Sequence, residues 1–143
     1  GNQWMLEWWL PKGRAPHTVT DEELLAWERD YTTECDATSE NLDAFKVRGG
    51  KFIVSGGLED SIVPVLPMAD WFRRVNARYG GKETHTFCRF YLLPGWAHGP
   101  GRTMASCPDY SAALINWVEK GIAPESLPAK MRDGSTLQIA PQW

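Results

Sequence analysis

From residue 51 onward the apolar positions form two short continuous runs separated by a helical pattern. Residues 51–55 (Lys-Phe-Ile-Val-Ser) follow the Gly49-Gly50 break and read as a buried strand. Residues 56–64 read as a loop. Val65, Met68, Ala69, Phe72, Val75 and Tyr79 then recur three and four apart, which predicts one helical face ended by Gly80-Gly81. Residues 87–93 are a second strand-like run, and 94–108 a long loop rich in Gly and Pro. Tyr110, Ala113, Leu114, Trp117 and Val118 form another helical face, with Ser106 or Asp109 as its cap, Pro108 in its first turn and Gly121 at its end. After Pro124 the pattern predicts an irregular tail, with weak strand character only at 137–139.

Upstream, residues 3–10 read as the end of an aromatic helix stopped by Pro11-Lys12-Gly13. Thr20 and Glu23 make a capping box ahead of Leu24, Trp27 and Tyr31 at helical spacing. Ser39 starts a short turn carrying Leu42 and Phe45. The chain thus divides into a helical segment 1–35, an α/β part 36–128 and a tail 129–143. Two apolar strands joined by an amphipathic helix predict parallel pairing in an α/β fold, parallel strands with flanking helices. Two strands are too few to bury such a sheet on both faces, so part of the sheet is expected outside this chain.

Composition narrows the function classes. Of 143 residues, 43% are hydrophobic and 23% charged, the balance of a folded globular protein. With 15 Lys and Arg against 18 Asp and Glu, the net charge of −3 offers no footprint for nucleic acid and no polybasic membrane patch. No apolar run approaches the roughly 20 residues of a membrane helix. The start, Gly1-Asn2-Gln3-Trp4, has neither a basic region nor an initiator Met, so it reads as the interior of a longer protein without a signal peptide. Cys35, Cys88 and Cys107 stand far apart with no histidine at zinc spacing, which argues against a structural metal site and leaves the redox compartment open.

Chemistry in open α/β sheets gathers in loops at the carboxyl ends of strands. The first such loop holds Glu59 and Asp60, and the second holds Trp96 and His98. An acid after one strand and a histidine after the next is the order in which α/β-hydrolases deploy the second and third members of a catalytic triad. The carboxylate orients the imidazole and stabilises its protonated form. Each residue has a plainer reading. Asp60 could close a turn or cap the following helix, Glu59 is a rival acid, and His98 could be satisfied by a backbone carbonyl. His17 and His85 read as solvated. Trp96, two residues from His98, is a candidate pocket wall for substrate. No serine stands in the G-x-S-x-G pattern of a nucleophile elbow: Ser55, Ser106 and Ser111 all lack it.

Residues 36–128 resemble the carboxy-terminal part of the tannase/feruloyl esterase family of α/β-hydrolases. Three stretches carry the likeness: 41–54 (NLDAFKVRGGKFIV) running into 56–64 (GGLEDSIVP), 89–101 (RFYLLPGWAHGPG), and 113–127 (ALINWVEKGIAPESL). The resemblance implies that Asp60 is the triad acid and His98 the triad base, with the nucleophilic serine, the oxyanion hole and most of the lid upstream of this chain. Residues 1–35 would return from that lid to the core, with Trp4, Trp8 and Trp9 at a lid or partner contact. Many members carry a Cys directly after the histidine, bonded to a Cys beside the serine; Gly99 stands there instead. The implied activity is hydrolysis of carboxylic esters, of phenolic acids in particular, with no metal or organic cofactor. The implied setting is secreted or periplasmic.

The chain alone is expected to be inactive, and its expected partners are an aromatic ester, the missing amino-terminal part of the hydrolase, or a second copy of itself. Two other readings remain open from the residues. One is a non-catalytic α/β module that pairs through an exposed sheet edge. The other is a fragment of a prolyl-oligopeptidase-type peptidase.

Overall fold

A computed structural model of the chain describes Leu10, residues 14–35 and residues 37–142. It divides into two compact units, residues 1–38 and residues 39–143. The aromatic helix expected over 3–10, with Trp4, Trp8 and Trp9, lies outside the described residues apart from Leu10.

In the first unit a 3-10 turn, Pro16–Thr18, leads to helix α1 (Asp21–Cys35). The capping box closes as its residues predict. The Glu23 N–H donates to Thr20 Oγ1 at 3.2 Å, and the Thr20 N–H donates to Glu23 Oε2 at 2.9 Å. Arg14 grips the same carboxylate through both terminal nitrogens, at 2.8 and 2.6 Å. The Arg14 hydrogen bond, then the Thr20 N–H, hold the Glu23 carboxyl down at about 2.

The second unit opens with helix α2 (Asp43–Val47), where the sequence predicts only a turn. Asn41 Oδ1 accepts the Asp43 N–H, and the Tyr79 hydroxyl accepts the Leu42 N–H while donating to Asp43. These bonds complete a start that the short sequence pattern leaves ambiguous. Strand β1 (Phe52–Gly57) follows, then helix α3 (Val65–Tyr79), the single-turn helix α4 (Gly81–Thr84) and strand β2 (Cys88–Leu93). Strand β3 (Met104–Ser106) and helix α5 (Tyr110–Lys120) come next, then strands β4 (Leu127–Met131) and β5 (Thr136–Ile139). Of the two candidate caps for α5 it is Asp109 that serves, accepting the Ala112 N–H at 2.9 Å.

β1 and β2 pair in parallel from Phe52↔Cys88 to Gly57↔Leu93, with α3 as their crossover. Pleating sends alternate residues of β2 into different cores. Cys88 and Phe90 join Phe72, Phe87 and the apolar face of α3, whereas Tyr91 and Leu93 join Met104, Leu127, Ala129 and Ile139. Trp117 on α5 is buried, and Trp71 on α3 packs half-buried against the first of these cores. Burying each large apolar side chain contributes about 1.5–3 kcal/mol, so a strand packed on both faces anchors the unit.

Two expectations are corrected here. The tail is not irregular: β4 and β5 form an antiparallel hairpin, Leu127↔Ile139 to Lys130↔Thr136, and β4 also pairs with β3. Leu127 and Ala129 point into the core while Pro128 and Lys130 point out, so this half-buried strand has no continuous apolar run. The Asp133-Gly134 pair flanked by alternating residues is the hairpin signal that reveals it. The loop over 94–108 likewise contains β3. The second correction is His85, which is buried at 4% exposure instead of solvated, beside Phe72 with ring centroids 6.0 Å apart. His17 is exposed as expected. Among the described residues no helix is long and apolar enough to cross a membrane.

Candidate active site

The last pair of the parallel ladder, Gly57↔Leu93, releases two loops at the same level. Both begin as continuations of the strands. The Leu58 N–H donates to Leu93 O at 3.1 Å, and the Glu59 N–H donates to Trp96 O at 3.1 Å. The close approach depends on Gly57, because a β-carbon there would run into the Trp96 carbonyl. Asp60, three residues past β1, therefore faces His98, five residues past β2. His98 Nδ1 lies 3.1 Å from Asp60 Oδ2.

The remainder of the Asp60 carboxylate is also held. Its Oδ1 accepts the N–H groups of Ile62 and Val63, both at 2.9 Å. These two bonds, Val63's foremost, and then the His98 ring keep the Asp60 carboxyl below the usual carboxylate range, against the opposing effect of burial. An ionised carboxylate only accepts, so Nδ1 of His98 carries the proton toward Asp60, and Nε2 is the nitrogen left with a lone pair. The Asp60 side chain is 10% exposed and that of His98 56%, so the acid is enclosed and the base is open to solvent. Among the described residues the ring makes no other hydrogen bond to protein.

Asp60 closes a turn through Oδ1 and meets the His98 ring through Oδ2. Asp60 does not cap α3, which begins after Pro64 without a side-chain cap. Glu59, the rival acid, is exposed, and it contributes its backbone N–H. Trp96 is half-buried, packed against the Tyr91–Leu93 core, and its carbonyl ties the two loops together. Ser55, on β1, pairs with the Tyr110 hydroxyl at 2.8 Å and not with His98. Among the described residues no group of three or more His, Cys, Asp or Glu could hold a metal ion. Sequence reasoning missed the role of the Ile62 and Val63 amides. The signal for it is an Asp a few residues ahead of Pro64 in a strand-to-helix loop, where an Asx turn can form.

An Asp–His pair on adjacent strand ends poses the question of family. A profile described as "Tannase and feruloyl esterase" matches residues 14–140. The chain belongs to the tannase and feruloyl esterase family. It is 38% identical over 93 residues to the mono(2-hydroxyethyl) terephthalate hydrolase of Piscinibacter sakaiensis, an alignment covering 65% of this chain and 15% of that protein. It is 36% identical over 98 residues to a probable feruloyl esterase of Arthroderma benhamiae, covering 66% of the chain and 18% of the relative. Its fold matches the crystal structure of feruloyl esterase B from Aspergillus oryzae with a TM-score of 0.78 at 19% identity, over 90% of this chain and 30% of that one. The fold is thus that of this family of α/β-hydrolases, and the chain spans less than a third of the length of these relatives.

Proposed function

We propose that this chain is the carboxy-terminal part of a serine carboxylic-ester hydrolase of the tannase and feruloyl esterase family, supplying the triad acid Asp60 and base His98. The observation that carries the reading is the 3.1 Å contact between His98 Nδ1 and Asp60 Oδ2, on a histidine whose side chain is more than half exposed. The nucleophilic serine comes from a part of the polypeptide outside this sequence. His98 Nε2 takes the proton from that serine hydroxyl as its oxygen attacks the ester carbonyl, and passes the proton to the departing alcohol. Water then attacks the acyl-enzyme, giving its proton to His98, and as the acid product leaves His98 returns that proton to the serine oxygen. Asp60 fixes the tautomer and stabilises the imidazolium throughout. The names of the relatives point to esters of aromatic acids, and the open part of Trp96 offers a surface for the aromatic ring.

In the intact polypeptide, Asp60→Asn is expected to lower kcat on a hydroxycinnamic methyl ester by about 10⁴, the scale seen when a triad carboxylate is neutralised. Near-normal turnover overturns the assignment. The 143-residue chain by itself is expected to leave an activated aryl ester intact. Turnover by the pure chain, blocked by a serine-directed phosphonate, would mean that a serine within it, Ser55 first, is the nucleophile.

A further inference from the structure

We propose that Arg132, in the turn between β4 and β5, is a positioning residue that holds the His98 loop in reach of Asp60. The loop runs over residues 94–103, between the end of β2 and the start of β3. Its first limb is tied to the Asp60 loop through Trp96 O. Its second limb, residues 99–103, belongs to no helix or strand, and Arg132 takes it at two points. Arg132 Nε donates to Gly101 O at 2.8 Å, and the Arg132 N–H donates to Thr103 O at 2.8 Å.

The two limbs press on each other, so a hold on one is a hold on both. A β-carbon on Gly101 would run into the Gly95 carbonyl, Trp96 bridges Pro100, and the Ala97 N–H donates to Gly99 O at 3.1 Å. His98 sits at the apex between them, and the described hydrogen bond on its ring is the one to Asp60. The orientation of the base therefore depends on the loop backbone. Arg132 is itself well placed to fix that backbone. The Met131 N–H donates to Ser135 O, the Gly134 N–H to Met131 O, and Asp133 Oδ1 accepts from Ser135. Leu127, Ala129 and Ile139 sink the hairpin into the core. A guanidinium donating to a carbonyl is a charge-assisted bond, stronger than a neutral one. The hairpin thus connects the buried core to the loop that carries the base.

This inference rests on the reading of Asp60 and His98 as a catalytic pair. Misplacing a catalytic group by about 1 Å costs on the order of 10² in rate, and a partly loosened loop less. In the intact esterase, Arg132→Ala is expected to lower kcat about tenfold with KM within about twofold, and Arg132→Lys, able to donate one bond to Gly101 O, to recover to within about threefold of the parent. Lys130→Ala, which removes the 2.9 Å bond to Thr136 on the same hairpin, is expected to leave kcat unchanged. Amide exchange at Ala97 and Met104 is expected to quicken in Arg132→Ala while Val54 and Phe90 keep the parent's rates. Unchanged kcat, equal quickening at all four amides, or failure of Arg132→Ala to fold overturns the proposal. Asp60→Asn in the same assay separates the two ideas: if it loses turnover while Arg132→Ala does not, the pair stands and the clamp falls. If Asp60→Asn keeps turnover, the catalytic reading falls with it.

Discussion

The β1–β2 pair has a histidine near each end, and the two ends treat it in opposite ways. At the carboxyl end, His98 is more than half exposed and meets an ionised carboxylate at 3.1 Å. At the amino end, His85 is buried against Phe72, and burial followed by the neighbouring Arg89 guanidinium lowers its pKa from 6.5. Arg89 is in turn committed to the His85 carbonyl, the Pro124 carbonyl and Glu125. One end sets an imidazole in the open beside a carboxylate; the other encloses one beside a guanidinium, where burial disfavours its charged form. Residue type alone does not separate these roles. Position along the strand and the charge of the nearest partner do.

The comparison breaks first on turnover. In the intact polypeptide His98→Ala is expected to lower kcat by about 10³ or more, whereas His85→Gln is expected to leave kcat within about twofold. A large loss in His85→Gln that is present in a fully folded protein would put the amino end into the catalytic account. A smaller effect concerns folding. His85→Gln replaces a buried, packed ring and is expected to cost about 1–3 kcal/mol in denaturant melts.

The smallest effect is a slope in pH. Below about 6.5 the unfolded chain takes up a proton at His85 more readily than the folded chain, so stability falls as pH drops through the window beneath that value. Arg89 adds to the effect of burial on this group, while the Gln142 backbone and Glu125 oppose it. Stability measured between pH 7 and pH 5 is expected to fall less steeply in His85→Gln than in the parent. An unchanged slope would mean that His85 titrates normally in the fold.

Much of this arrangement was legible in the sequence, for physical reasons that also explain what was not. β1, α3 and β2 announce themselves because β2 is packed on both faces and so is apolar at every position but Arg89. The meeting of Asp60 and His98 is legible because both follow the carboxyl ends of paired strands, where open α/β sheets gather their loops. The choice of Asp60 over Glu59 is not, since it depends on which side chain turns inward toward the Ile62 and Val63 amides. The β4–β5 hairpin was hidden by the outward Pro128 and Lys130, although Asp133-Gly134 marks its turn. His85 was hidden because its burial is made by residues distant in sequence, Phe72 among them. Arg132 reaches Gly101 across 31 positions, a contact no local pattern encodes.

The central claim is that Asp60 and His98 act as one unit in ester hydrolysis. The measurement that tests it most directly is a double-mutant cycle on kcat in the intact polypeptide. Residues that work as a unit are not additive, so Asp60→Asn combined with His98→Ala is expected to fall no further than His98→Ala alone, within about threefold. Losses that multiply, or a His98→Ala variant that turns over at the parent's rate, would contradict it.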